Sequence, residues 1–523
     1  MVGGVSKSLL WLPILLLVIP GCGRHLPYPS NVHEVLTKAG KNRRQLEKII
    51  AHYQTQNDSL KLKAAYFLIE NMEGHGYVTY ALQDTAANEL PFVATAYPDY
   101  PTLEATFDSL EAVYGTLDFE KRGFTADLEV ITAEFLIEQI EYAFKAWQGK
   151  PWAAGLSFED FCEYILPYRG SNEPLENWRG RFYEKYQGID KRLENPADPI
   201  SAAALINDDI KSWFKFDPRY YYHPTDQGLA EMTAGGLGRC EDMTNITIYA
   251  MRAVGLAVTS DYTPYWANAG NNHAWNAIVT LDGKAIPFMG AEANPGQYGL
   301  ANKLAKVYRK TYGVQKGNLV FVEHKQTSLP PWLAGKSYRD VTAEYVQTCD
   351  VTVRFDREIP DSVNVAYLCV FNSGEWKAIQ WGKIDDDSAV FRDMGTGIAY
   401  LPALYLNEEI VPFGQAFVLQ DDCRSQVFRP DQEQFTTLRL VSTTARLQRE
   451  STDGITGTGL VAGLIYELFY WDDDWQSLGK LAAGLDPLVF DRVPRGSLFR
   501  LVADNSDDEE RIFSFENGYQ VWW

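Results

Sequence analysis

The feature that most constrains this chain is a change of hydrophobic period along it. In AAYFLIENM (64–72) and AEFLIEQIEYAFKAW (133–147) the apolar residues recur three and four apart with charges between them, the spacing of amphipathic helices. From residue 346 the apolar runs are short and separated by turn residues. VTVRF, VNVAYLCVFN and EWKAIQWGKI are examples, and they read as strands. A chain of 523 residues is too long for one hydrophobic core. The sequence therefore predicts an α+β multidomain protein whose helices and strands are segregated. Its expected parts are a leader at 1–21, a tether at 22–42, a mostly helical region at 43–215, a mixed α+β core at 216–300, and a connecting segment at 301–345. A β-sandwich-like domain at 346–445 and a small β-domain at 446–523 complete it.

The formal charge of −21 leaves no basic footprint for nucleic acid. Fourteen tryptophans and thirty tyrosines fit either β-cores or glycan-contacting surfaces. Trp376, Trp381, Trp471 and Trp475 are the candidates for glycan contact by the β-domains. Six cysteines do not make a disulfide scaffold. Cys162 lies on an apolar helix face and reads as core, and Cys349 and Cys369 can pair if adjacent strands bring them together. At the N-terminus, Lys7 precedes LLWLPILLLVIP, which reads as the apolar stretch of a secretion signal rather than a membrane span. Its ending, IPGC, resembles a bacterial lipoprotein signal. That resemblance implies lipidation of Cys22 and a soluble body anchored at the cell envelope, outer-membrane, periplasmic or surface-facing.

The chemistry concentrates in GGLGRCEDMTNITIYAMRAVGLAV (235–258), followed fourteen residues later by HAW. Cys240 stands where a glycine-rich loop hands over to a helix, and helix N–H groups favour a thiolate and can hold an oxyanion. Glu241 and Asp242 suit the helix dipole but oppose thiolate formation. His273 begins the next strand and is the candidate base. Asp282 and Gly283 mark a hairpin turn between HAWNAIVTL and KAIPF. Upstream, Tyr220, Tyr221, Tyr222 and His223, together with Trp266, Trp275 and Asn294, could wall a substrate cleft. Arg252, Tyr168, Arg169 and Trp178 are expected to tie the helical region to the core. No HExxH, glycine-rich nucleotide loop or cysteine ladder supports a metal or organic cofactor.

Residues 236–295 resemble the core of the transglutaminase-like superfamily, whose fold is related to papain-like cysteine peptidases. GLGRC maps the family's nucleophile onto Cys240, and NHAWNAIVTLDGK maps its base onto His273. The family's aspartate belongs near the end of KAIPF, where this chain has Pro287, Phe288 and Met289. Glu292 is the nearest following carboxylate and Asn294 a neutral alternative. The resemblance implies a cysteine-dependent amide or peptide hydrolase working through a thioester, on a peptide, peptidoglycan-stem or glycopeptide substrate. An acyl transferase that admits an amine, and an inactive transglutaminase-like lipoprotein binding glycan or peptide, are the alternatives. The overall layout also resembles surface or periplasmic lipoproteins of Bacteroides-type bacteria.

Overall fold

Three helices, Ser30–Lys38, Arg43–Gln56 and Ser59–Glu70, open the fold in a computed structural model that describes residues 28–325, 328–452, 458–506 and 508–523. Cys22 and the leader lie outside the described residues. The first helix falls inside the expected tether, but Val32, Val35 and Leu36 are buried against the core, so that stretch is folded structure. The second and third are separate because Asn57 turns left-handed (φ 56°) and the Asp58 carboxylate caps the next helix through Lys61 N–H at 3.1 Å.

The helical region also contains strands that helical periodicity does not announce. Gly76–Gln83 and Asp118–Ala126 form an antiparallel ribbon, with Glu89–Leu90 on its edge. YVTYAL within it is rich in β-branched and aromatic residues. The helices Ala133–Gly149, Phe158–Tyr164, Arg179–Tyr186 and Pro199–Lys211 complete this half. Cys162 is buried in it, as its helix face predicts.

The helix Cys240–Ala253 is almost wholly buried and lies against an antiparallel sheet. The strand order is Tyr338–Asp340, Tyr308–Lys310, Val258–Thr263, His273–Val279, Ala285–Phe288. The hairpin at Asp282–Gly283 is present, with Gly283 at φ +78°. Residues 301–345 do more than connect, because two of the five strands come from them. The expected tie to the helical region exists. Arg252 donates to the carbonyls of Tyr164 (3.1 Å) and Arg169 (2.7 Å), and Trp178 stacks on Tyr249 at 4.8 Å. One continuous set of buried side chains runs from Val32 to Val341.

Beyond 346 the described elements are β-rich. An eight-stranded sheet is centred on Val365–Asn372, in which every residue is buried. Its odd positions (Val365, Tyr367, Cys369, Phe371) share a core with Tyr262 and Tyr308 of the first sheet. Its even positions (Ala366, Leu368, Val370) pack with Val351 and Phe391. Asp431–Leu440 pairs with Leu488–Arg495, so pairing runs across the boundary expected at 445. Cys349 is joined to Cys423, and Cys369 is a buried free thiol, so the Cys349–Cys369 pairing that the sequence left open is not made.

Candidate functional site

The glycines before Cys240 are there for close approach. A Cβ on Gly236 (φ +63°) would meet the Trp213 carbonyl at 2.7 Å, and one on Gly238 would meet Asp242 at 2.6 Å. The Asp242 carboxylate accepts the N–H groups of Arg239 and Gln227, each at 3.0 Å, and so caps the helix that Cys240 heads. Arg239 in turn pairs with Asp226 at 2.9 Å.

The Cys240 thiol donates to the Glu241 carboxylate at 3.0 Å. Burial first, and then the Glu241 charge, push it well above an ordinary thiol, while the Ala274 N–H on the sulfur and Arg239 act the other way. In the resting site Cys240 is therefore a protonated thiol. The helix that Cys240 heads packs on the strand that begins with His273, and among the described residues no hydrogen bond joins the two side chains.

His273 is half-buried and shares a 2.6 Å hydrogen bond between Nε2 and the Tyr298 hydroxyl. Burial lowers its pKa, and Glu241 only partly offsets this, so the ring is neutral at pH 7. Nδ1 has no hydrogen-bond partner among the described residues. Trp266 and Trp275 lie stacked beside the ring at 5.7 and 5.9 Å. The Trp275 indole donates to Tyr345 (3.1 Å), which donates to Asp261 (2.6 Å), itself paired with Arg309. That chain of buried groups fixes the strand that presents the histidine.

Neither candidate for the third group touches His273. Glu292 is exposed and has no hydrogen bond to the ring. Asn294 is held by Asn207 (2.9 Å), Lys211 (3.2 Å) and Asp208 (2.9 Å), which anchors the loop to the helix Pro199–Lys211. The strand end leaves no room for an aspartate. Met289 is buried, and a Cβ on Gly290 would strike Thr247 and the Met243 carbonyl. Tyr298 occupies the Nε2 side instead. It lies 25 residues beyond His273 in a loop, and no local pattern marks it.

A cleft of about 710 Å³ is lined by Tyr221, Tyr222, His223, Arg239 and Glu241, whereas Trp266, Trp275 and Asn294 do not line it. Cys240 and His273 do not line it either, although Arg239 and Glu241 flank Cys240 in the chain and Asn272 precedes His273. Tyr80 and Phe119 add aromatic wall from the N-terminal ribbon, and Tyr100 from the helix Tyr100–Tyr114 between its two long strands, a contribution absent from the sequence expectation. His223 is engaged with Glu231 (2.9 Å) and the Thr225 carbonyl (2.7 Å), so it shapes the cleft and is not paired with the thiol. Among the described residues no group of three or more His, Cys, Asp or Glu side chains could hold a metal ion.

A cysteine-headed helix against a sheet whose second strand begins with histidine defines a transglutaminase-like α+β fold. Residues 187–288 match the family model for the transglutaminase-like superfamily, so a domain of that superfamily is present over this range. The match starts upstream of the expected boundary at 216 and takes in the helix Pro199–Lys211, whose Asn207 donates to the Met289 carbonyl at 3.3 Å. No curated protein matches the chain.

Proposed function

We propose that the chain is a cysteine-dependent amide or peptide hydrolase of the cell envelope, with Cys240 as nucleophile and His273 as base. The observation that carries this reading is the seat of the sulfur. It stands at the head of a buried helix packed on the strand that His273 begins, next to an aromatic cleft that Arg239 and Glu241 line. Substrate entering the cleft displaces the thiol from Glu241 and passes its proton to Nδ1 of His273. The thiolate attacks the amide carbonyl, the imidazolium protonates the leaving amine, and water then cleaves the thioester. Tyr298 takes the orienting position on Nε2. Peptide, peptidoglycan-stem and glycopeptide amides are the substrate classes the cleft suits, and an amine in place of water would make the enzyme an acyl transferase. The Cys349–Cys423 bond supports an oxidising compartment, in keeping with a lipid-anchored envelope protein.

The thiol's bond to Glu241 favours a second reading, an inactive transglutaminase-like domain that binds peptide or glycan. An acylation burst with p-nitrophenyl acetate separates the two. The hydrolase gives one equivalent of p-nitrophenol and an acetyl group on Cys240, both lost in Cys240→Ala and strongly slowed in His273→Ala. A burst that persists in Cys240→Ala, or none at any pH from 6 to 9, leaves only the binding role.

A further inference from the structure

A second cavity, of about 330 Å³, adjoins the cleft and shares Ser171, Asn172 and Lys310 with it. Its wall carries Arg169, Arg252, Lys310, Lys336 and His75, and no aspartate or glutamate among the described residues. In a chain of net charge −21 that local balance is the reverse of the whole. Two of the cations are answered from outside the wall, Arg169 by Asp127 and Lys336 by Glu73.

The other two are not answered so directly. Arg252 is 5 % exposed and hydrogen-bonds only main-chain carbonyls, those of Tyr164, Val258, Pro167 and Arg169. Burial brings its pKa down to about 10, even with Glu163 and Glu173 near enough to oppose the shift. The Glu163 carboxylate is itself committed to the N–H groups of Tyr312 and Gly313. Lys310 bonds the Ser171 hydroxyl at 2.7 Å, where cleft and cavity meet. Ser260, 1 % exposed and on the same wall, has a hydroxyl with no hydrogen-bond partner. The buried Arg252, the half-buried Lys310 and the unpaired Ser260 hydroxyl share this wall, where an anion can accept from them.

We propose that this cavity is a carboxylate subsite, which takes the free C-terminal end of a peptide whose scissile amide lies in the cleft beside Cys240. The identification of that carboxylate as part of a substrate rests on the hydrolase reading, whereas the anion pocket itself does not. Substrates are then peptides cut close to an acidic terminus. Lys310, at the junction, reads the charge of the chain end as it passes from cleft to cavity.

The test is calorimetric binding to the Cys240→Ala protein, in which no turnover occurs. The probes are acetyl-trialanine with a free carboxylate and the same peptide as its C-terminal amide. The acid is expected to bind about tenfold more tightly, the scale of one charge-assisted contact. Lys310→Gln abolishes that preference, and inorganic phosphate competes with the acid in the parent protein. Lys336→Gln, on the same wall, provides a second variant should Lys310→Gln fail to fold, and it narrows the preference. Equal binding of acid and amide, a preference unchanged in the variants, or no competition by phosphate overturns the proposal. A carboxylate preference in a protein whose thiol gives no acylation burst rejects the hydrolase and leaves the anion pocket standing. A burst without the preference does the reverse.

Discussion

The two central sheets are equally buried and differently made. Val365–Asn372 is apolar on both faces up to Phe371. Val258–Thr263 and its neighbours bury Thr259, Ser260, Asp261, Thr263, Asn276 and Arg309, and the helix above them buries Asp242, Thr244, Asn245, Thr247 and Arg252. Several of these, Ser260, Asn245, Thr247 and the Asn276 carbonyl oxygen, lack a partner. Each unpaired buried group costs about 1–3 kcal/mol, so this interface is less stable than an apolar one of the same size. The C-terminal sheet is arranged for packing. The transglutaminase-like core holds polar groups in fixed places around Cys240 and His273, at a cost in stability.

The sharpest way to break this comparison is at its most buried ion pair. Arg309 and Asp261 are both fully buried, with bonds of 2.7 and 2.8 Å. Arg309→Met leaves the Asp261 charge uncompensated and should destabilise by about 3–5 kcal/mol in urea unfolding. Leu368→Ala in the apolar sheet costs about 2–5 kcal/mol by cavity formation alone. A loss below about 1 kcal/mol for Arg309→Met would mean that the polar network does not hold the core together.

How much of this was legible in the sequence follows the same division. The Cys240 helix, the Asp282–Gly283 hairpin and most of the C-terminal strands are written in local pattern, and the structure contains them, but the helix Ala445–Thr452 interrupts what read as strands only. Tyr308–Lys310 and Tyr338–Asp340 are three residues each, too short for alternation to show. The ribbon at 76–126 was hidden inside a helix-rich half. Tyr298 takes its position beside His273 through a loop, and Cys423 meets Cys349 across 74 residues. Both depend on tertiary closure, which one sequence does not encode locally. Gly290, just past the strand end, has no space for a side chain of its own, which shows only once the helix is packed above it.

Two free cysteines, one in each region, sharpen the contrast further. Cys240 is held as a thiol by burial and by Glu241, whereas burial alone raises Cys369. Removing the neighbouring charge lowers the Cys240 pKa and raises its thiolate fraction at a given pH. Glu241→Gln should therefore speed iodoacetamide labelling of Cys240 near pH 8, because a larger share of the thiol is then ionised. Cys369 should stay unlabelled in both folded proteins. Unchanged labelling of Cys240 would show that burial alone governs the thiol.

A smaller effect is expected at Tyr298. Tyr298→Phe removes one hydrogen bond to Nε2 and should slow the acylation burst about two- to tenfold. It should also shift the acid limb of the burst's pH profile, which a purely structural change would leave in place. An unshifted profile would return Tyr298 to the role of packing residue.

The mildest test uses pH. All seven histidines precede residue 325, so the C-terminal sheets contain none. His75 is half-buried, with Nε2 on the Tyr312 carbonyl at 3.0 Å and its ring stacked on Tyr312. Burial lowers its pKa below the ordinary value. The unfolded chain therefore takes up a proton that the folded state resists. The contribution to stability is complete above the unfolded value of about 6.5 and is lost as pH falls through it, at up to about 1.4 kcal/mol per pH unit. Burial raises the carboxyls of Glu163 and Asp242, and His223 is raised because Glu231 outweighs its burial. All three act in the opposite direction. The His75 contribution is thus the difference between the parent protein and His75→Gln, measured by urea unfolding at pH 7.5, 6.5 and 5.5. The parent should lose stability relative to the variant as pH falls. Parallel curves would place the titrating burden of this core on its other buried groups.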